Sequence, residues 1–439
     1  MKSKVSAIAP LNSVAIRCFF FMLLFVPFFS IHAQLGISYQ IIPLKKDGLF
    51  KTEDRIGCDI KFKNNTYEKI VGVIKTYNKN KSGDYIPLKD FSFVVDSRKT
   101  SIANIRLEGI KYPPGFYELV MLLNADKYID TLYFGYAVDL EKIYSNINKP
   151  NDFENFWDEA KRDLFNIDPK YNIIRRGDKS TKDVDVFMVE FQSLDNQKVK
   201  GWLSVPKEKG IYKVIYELPG YMEEINPDSS RSDLAVFRLI PRIPPNVKPD
   251  FNNYNTIGLN DKYKYIYRAL YMDALRGLDF IFQNAQLKLD TKRVVIKGCG
   301  QGAILAAFVA AMDKRARACI LERPLFVDMR NFFLSSEVKK SFPWTVKNFQ
   351  AYMTYPRTRM TKENFFKIWD YFDPVNFVPN IQCKVLFAHS IRNTECPPEC
   401  AIQMYNQLSI DNRDLYLSPE QNTMDEFYYV YQENWIKKI

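Results

Sequence analysis

Gly298-Cys299-Gly300-Gln301-Gly302 has the spacing of a catalytic turn and lacks the catalyst. The run Arg293-Val-Val-Ile-Lys297 before it is apolar and β-branched, and the stretch Ala303 to Met312 after it is Ala-rich. A strand, a tight turn and a helix are therefore expected in that order. This is the setting of the G-x-S-x-G nucleophile elbow, where small residues two before and two after the nucleophile let a strained turn lift a hydroxyl clear of a sheet. Gly298 and Gly302 hold the flanking positions, but the residue between them is Gly300, which has no hydroxyl to lift. Cys299 does not fit the apex, because its own flanks would be Lys297 and Gln301, neither of them small. It reads as a partly buried thiol beside the turn, since free Cys usually packs as a small hydrophobe. As a displaced nucleophile it would need a base to form thiolate at neutral pH.

The elements that must position this turn alternate between strand and helix from about residue 150 onward. Asp152-Phe-Glu-Asn-Phe-Trp157-Asp-Glu-Ala-Lys161 reads as an amphipathic helix with Phe153, Phe156, Trp157 and Ala160 on one side. Phe187 to Leu194 and Gly201 to Val205 read as an opening hairpin, and Lys213 to Leu218 and Leu234 to Ile240 as apolar strands. A long helix is expected from about Asp261 to Asn284, ahead of the elbow strand. Further strands are expected at Ala318 to Leu321, Lys384 to Ala388 and Asp414 to Ser418. This rhythm predicts an α/β domain over 151–439, a mainly parallel, doubly wound sheet with helices on both faces.

Residues 34–139 have a different pattern. Seven short extended segments are expected: Ile37 to Ile42, Asp54 to Asn64, Lys69 to Thr76, Phe91 to Val95, Thr100 to Leu107, Phe116 to Asn124 and Ile129 to Gly135. Turn signals separate them at Asn64-Asn65, Asn80-Lys-Ser-Gly83 and Pro113-Pro114-Gly115. Such a run predicts an immunoglobulin-like β-sandwich that packs against, spaces or orients the following domain. Residues 140–150, with Asn148-Lys-Pro150, read as the linker.

The first 33 residues read as a secretory signal peptide. Lys2, Lys4 and Arg17 precede an apolar run from Cys18 to Phe29, and Ser30-Ile31-His32-Ala33 offers a cleavage site before Gln34. The run is short and interrupted by Pro27, so no stable membrane span is expected after cleavage. The chain is expected to be exported, to the periplasm or beyond it. Its net charge of +11 is spread without a dense basic block or an aromatic-interleaved basic stripe, which argues against nucleic acid as a partner. Cys58, Cys299, Cys319, Cys383, Cys396 and Cys400 follow the leader, and a core this large does not need disulfides. In Cys396-Pro-Pro-Glu-Cys400 no His or further Cys completes a tetrahedral set nearby, so neither a metal nor another cofactor is expected.

Several segments together, in order and at compatible spacing, resemble the acetyl xylan esterase / cephalosporin C deacetylase family of α/β-hydrolases. They are Asn151-Asp-Phe-Glu-Asn-Phe-Trp157, Pro219-Gly220-Tyr221, and Gly258-Leu-Asn-Asp-Lys-Tyr-Lys-Tyr-Ile-Tyr-Arg268 leading into Tyr271-Met-Asp273-Ala-Leu-Arg276. Gly298 to Gly302, Arg323-Pro324 and Cys396-Pro-Pro398 complete the set. The resemblance spans nearly all of Pro150 to Ile439 and implies an α/β-hydrolase fold, removal of acetyl groups from xylan fragments and related esters, and a tendency to oligomerise. It also implies where a triad should stand. The nucleophile position is Gly300, and the acid position is Asn393. The base loop, around Glu420, Gln421 and Asn422, contains no His.

The one histidine after the leader, His389, precedes Asn393 and so falls at the wrong point of the Ser…Asp…His order. A hydrogen-bonded histidine at a strand end is the expected role. The remaining unconventional candidates are Cys299, His389 and Glu395. The resemblance further implies an oxyanion hole built from the backbone N–H groups of Tyr221 and Gln301, which persist whatever happens to the triad. Pro219 stands where the family has His, and Pro241-Arg-Ile-Pro-Pro-Asn246 replaces its Arg-Gly-x-Gly loop. The reading is an exported, catalytically inactive relative that binds or scaffolds acetylated glycans or small esters. Its alternatives are an active esterase using unconventional groups and a structural subunit of a homo- or hetero-oligomer.

Overall fold

The computed structural model describes residues 31–439 apart from 35, 80–82, 109, 110, 126, 245–247 and 249. Most of the expected signal peptide, parts of the turn at Asn80 to Gly83 and the Pro245-Asn246 end of the altered loop therefore lie outside the described residues. Residues 31–33, assigned above to the leader, belong to strand β1 (Ile31–Gln34), which pairs antiparallel with β2 (Ile37–Pro43).

The N-terminal region is a two-layer sandwich. One sheet runs β1, β2, β4 (Ile56–Asn64), β8 (Thr100–Leu107). The other runs β3 (Leu49–Phe50), β10 (Tyr128–Val138), β9 (Gly115–Ala125), β5 (Ile70–Lys79), β6 (Tyr85–Pro87), with β7 (Phe91–Val95) also on β5. The seven expected strands are all present. The structure adds β1, β3 and β6, each four residues or fewer and sitting at a sheet edge. The core follows the alternation: Ile56, Cys58, Ile60 and Phe62 of β4 point inward, and Phe62 stacks on Phe93 with ring centroids 4.3 Å apart.

The second region carries a nine-stranded sheet in the order β11 (Asn172–Arg175), β12 (Val184–Gln192), β13 (Lys198–Pro206), β15 (Ala235–Ile240), β14 (Tyr212–Leu218), β16 (Leu289–Cys299), β17 (Ala318–Glu322), β18 (Lys384–Ser390), β19 (Arg413–Ser418). From β15 to β19 every pairing is parallel; the opening strands are antiparallel. Helix α1 (Phe153–Phe165) buries Phe153, Phe156, Trp157 and Ala160, as its apolar spacing predicts. Helices α2 (Ile266–Gln283) and α3 (Gln301–Met312) are buried almost all round. α3 is apolar on nearly every side, as a core helix is, whereas α2 also buries Arg268, Asp273 and Arg276, and the two form the main layer against the sheet. The long helix starts at Ile266 rather than about Asp261, because Gly258 to Lys264 form turns closed by Asp261 N→Gly258 O and Lys264 N→Asp261 O.

Three helices, α4 (Met329–Val338), α5 (Trp344–Thr354) and α6 (Lys362–Trp369), form an insertion between β17 and β18, and like the two helices after β18 they are not expected from the sequence. Helix α7 (Pro398–Asn406) follows β18, and α8 (Glu426–Lys437) covers the other sheet face through Tyr428, Trp435 and Ile436. The linker is fixed on α7. Asn406 Nδ2 donates to the Leu140 and Ile143 carbonyls, and Gln403 Nε2 to the Ser145 carbonyl.

Candidate functional site

The turn between β16 and α3 has the geometry of a nucleophile elbow. Gly300 sits at φ 60, ψ −118, a conformation L residues rarely adopt. Its N–H donates to the Glu322 carbonyl at 2.9 Å, and its own carbonyl accepts from Leu325 N at 3.2 Å. The flanking glycines are demanded by backbone contact. A Cβ on Gly298 would fall 2.0 Å from the Gly302 carbonyl oxygen, and one on Gly302 would fall 2.2 Å from that of Leu218. At Gly300 the nearest obstacle to a Cβ is the Leu325 side chain, at 3.3 Å. The apex has room for a small side chain and carries none.

The unconventional candidates do not converge. Strand alternation puts Cys299 with Val295, and Glu322 with Ile320, on the face covered by α8. His389 shares its parity with Val385 and Phe387, which belong to the opposite core layer. The sheet therefore separates thiol from imidazole. Burial, reinforced by the Glu322 carboxylate, pushes the Cys299 thiol up to about 12, against the opposing pull of Arg323. Arg323 Nη2 lies 3.0 Å from the sulfur. His389 is fully buried, with Nε2 3.1 Å from the Cys396 carbonyl. Burial lowers its pKa to about 3; the bond to Cys396 opposes this and the Arg323 charge adds to it. An imidazole that resists protonation, is bonded to the Cys396 carbonyl and lies on the other sheet face from Cys299 is not placed to take the thiol's proton. Glu395 is engaged elsewhere: Trp344 Nε1 donates to its carboxylate at 3.2 Å, and Thr345 Oγ1 to its carbonyl at 2.7 Å.

The acid and base positions are occupied by turn-forming groups. Asn393 Oδ1 accepts the N–H groups of Glu395 and Cys396, both at 2.9 Å. Asn422 has φ 58, in the left-handed region that asparagine tolerates. Its Oδ1 accepts from Thr394 N at 2.7 Å, and its carbonyl accepts from Arg323 Nη1. The Glu420 carbonyl accepts from Ser390 Oγ, while Gln421 is exposed. None of these side chains supplies an imidazole.

Tyr221 and Gln301, the expected backbone donors, lie at the start of the loop after β14 and at the first residue of α3. Both side chains are turned inward and anchored. The Tyr221 hydroxyl donates to the Phe251 carbonyl at 2.8 Å, and burial lifts its pKa to about 12. Gln301 Oε1 accepts from the buried Tyr267 hydroxyl at 2.9 Å. Among the described residues neither backbone N–H has a hydrogen-bond partner. Next to them Gly220 N donates to the Glu223 carboxylate at 2.7 Å. Above them stands an aromatic group that no motif marked: Trp344, at the start of α5, has its ring 4.7 Å from Tyr221 and 4.6 Å from Phe251. Arg323 belongs to the Arg-Pro motif in the sequence, and its donation to the Asn422 carbonyl ties that motif to the base loop in three dimensions. The described part of the altered loop is held by Arg242, whose Nε donates to Asp273 Oδ2 of α2 at 2.6 Å, both side chains being 2% exposed. Among the described residues no three His, Cys, Asp or Glu side chains gather as metal ligands would. None of the described helices is long and apolar enough to cross a membrane.

The profile of the family described as "Acetyl xylan esterase (AXE1)" matches residues 136–237 and 245–439. Acetyl esterase Axe7A of Xylanibacter ruminicola is 24% identical over 429 residues, covering 90% of this chain and 89% of that protein. Among solved structures, the acetyl xylan esterase from Paenibacillus sp. R4 superposes with a TM-score of 0.60 at 22% identity, covering 68% of this chain and 98% of its own. Acetyl xylan esterase 1 from Thermoanaerobacterium sp. gives 0.61 at 18% identity, covering 68% and 96%.

Proposed function

The chain belongs to the acetyl xylan esterase family, and from that premise we propose that it is an exported, catalytically inactive member that binds acetylated glycans or small esters through its residual oxyanion donors. The observation that carries this reading is Gly300 at the apex of an otherwise well-formed elbow. Acyl transfer needs a nucleophile, a base and an orienting carboxylate in contact. Here those positions are Gly300, a base loop without histidine, and Asn393, whose side-chain oxygen is committed to two backbone N–H groups. Losing a triad forfeits about 10⁶-fold in rate, which leaves only what binding and the oxyanion donors supply.

What those donors can still do is hold a carbonyl. The Tyr221 and Gln301 N–H groups are unpaired, and they adjoin half-buried Trp344 and Tyr221 rings of the kind that cover a sugar face. The test is calorimetric titration of the full chain with an acetylated xylo-oligosaccharide and with its deacetylated form. Gln301→Pro removes one N–H at the first helical position, where proline is tolerated. Gln301→Met keeps that N–H while losing the side-chain bond to Tyr267. Binding of the acetylated ligand alone, weakened about tenfold or more by Gln301→Pro and spared by Gln301→Met, supports carbonyl capture. No binding of either glycan rejects capture and leaves the role of structural subunit.

A further inference from the structure

The loops that no longer carry a triad form a continuous run of contacts from the sandwich to the elbow. At the sandwich end, Arg392 Nε donates to Glu118 Oε2 of β9 at 2.5 Å, and the two side chains are 16% and 18% exposed. The same guanidinium lies 4.3 Å over the Tyr133 ring of β10. Its neighbour Ile391 is buried against Gly135, so closely that a Cβ on that glycine would fall 2.7 Å from Ile391 Cγ2. The acid loop is joined to the base loop in turn. Ile391 N donates to the Ser418 carbonyl at 2.9 Å and Ser390 Oγ to the Glu420 carbonyl. The Asn422 amide pairs with Thr394, accepting its N–H at 2.7 Å and donating to its hydroxyl at 3.0 Å. An amide presents acceptor and donor two bonds apart, so one side chain can satisfy both. The base loop is joined to the elbow by Arg323, which donates to the Asn422 carbonyl and reaches Cys299.

We infer that the former acid and base loops act as the joint through which the sandwich holds the elbow, with Arg392 and Asn422 as its positioning residues. The Arg392–Glu118 pair is largely shielded from solvent, the situation in which an ion pair fixes register rather than adding bulk stability, whereas the Asn422–Thr394 pairing is exposed and specific through its two-point geometry. A joint of this kind makes the sandwich part of the site, whether or not the site binds an ester. Loosening the sandwich contact must then be felt in the base loop, which the sandwich does not touch through any of these links.

Hydrogen–deuterium exchange on the full chain reads this directly. Arg392→Met keeps the apolar stem and removes the ion pair. It is expected to speed exchange about tenfold in 390–396 and also in 418–424, with the inner strands β2 and β4 unchanged. A rise confined to 390–396 would overturn the joint. Asn422→Ala interrupts the run in its middle and is expected to speed exchange on both sides, in 322–326 and in 390–396. A rise on one side only, or on neither, would equally overturn it, and thermal melting of both variants separates these local openings from global loss of stability.

Discussion

At Gly300 the backbone adopts the strained conformation of an elbow while presenting no side chain for it to serve. A serine there would bring its Cβ 3.3 Å from a Leu325 methyl, a contact a leucine can relieve, but would take on the conformational cost of an L residue at φ 60. Gly300→Ser should therefore fold, lose about 1–3 kcal/mol in urea denaturation, and gain no esterase turnover, since the base loop holds no histidine and the His389 imidazole is buried and bonded to the Cys396 carbonyl. Gly302→Ala differs in kind. Its Cβ would meet a backbone carbonyl at 2.2 Å, so the variant should be recovered only as unfolded or aggregated protein. Recovery of folded Gly302→Ala at wild-type stability would show that helix and strand do not approach as described.

His389 makes a pH-dependent prediction at the same scale. Burial lowers its folded pKa from 6.5 to about 3, so the unfolded chain takes up the proton first as the pH falls. Its contribution to stability is whole above about pH 6.5 and is lost progressively as the pH drops toward 3. Between pH 7.5 and pH 5 the wild type should lose about 2 kcal/mol more than His389→Gln, compared by urea midpoints at each pH. Equal losses in the two proteins would place the histidine in contact with solvent.

Among the elements, the elbow strand, its helix and the parallel strands were legible because their signals are local. Apolar β-branched runs, a glycine turn and an all-apolar helix declare themselves within a few residues. The insertion helices were not legible. α6 has eight residues and buries Phe365, Phe366 and Trp369, too short a stretch for a helical period to stand out. Its aromatic side chains pack on α4 and α5, whose Phe333 and Phe349 lie 5.3 Å and 5.0 Å from Phe365. The edge strand β3, of two residues, owes its existence to a pairing partner far along the chain in β10, and β6, of three, is too short to show a period although it pairs with the nearby end of β5. For the site, spacing exposed the missing hydroxyl. That Cys299 and His389 lie on opposite faces follows from strand parity only once β16 and β18 are known to share one sheet.

The altered loop after β15 shows how an element can keep its anchor while its tip changes. Arg242 still pairs with Asp273 in the interior, and removing one partner would leave the other charge buried. Arg242→Met or Asp273→Asn should each cost about 3–5 kcal/mol by urea unfolding. A cost below about 1 kcal/mol would mean that the pair is reached by water.

For the molecule as a whole, the sandwich is seated on the former acid loop through Arg392 and Ile391, and the linker is tied to α7. The two regions are thus held together at the loop where the family's acid is expected. If the leader is cleaved as expected, intact mass of the mature protein should place its first residue at Gln34, and β1 would keep only that residue beside β2. The central claim is the loss of acyl-transfer chemistry. Its most direct test is acetate release from an aryl acetate and an acetylated xylo-oligosaccharide by the purified protein, run beside Cys299→Ala. Rates no better than buffer are expected for both proteins. Turnover by the wild type that disappears in Cys299→Ala would contradict the claim and make the thiol beside the elbow the nucleophile.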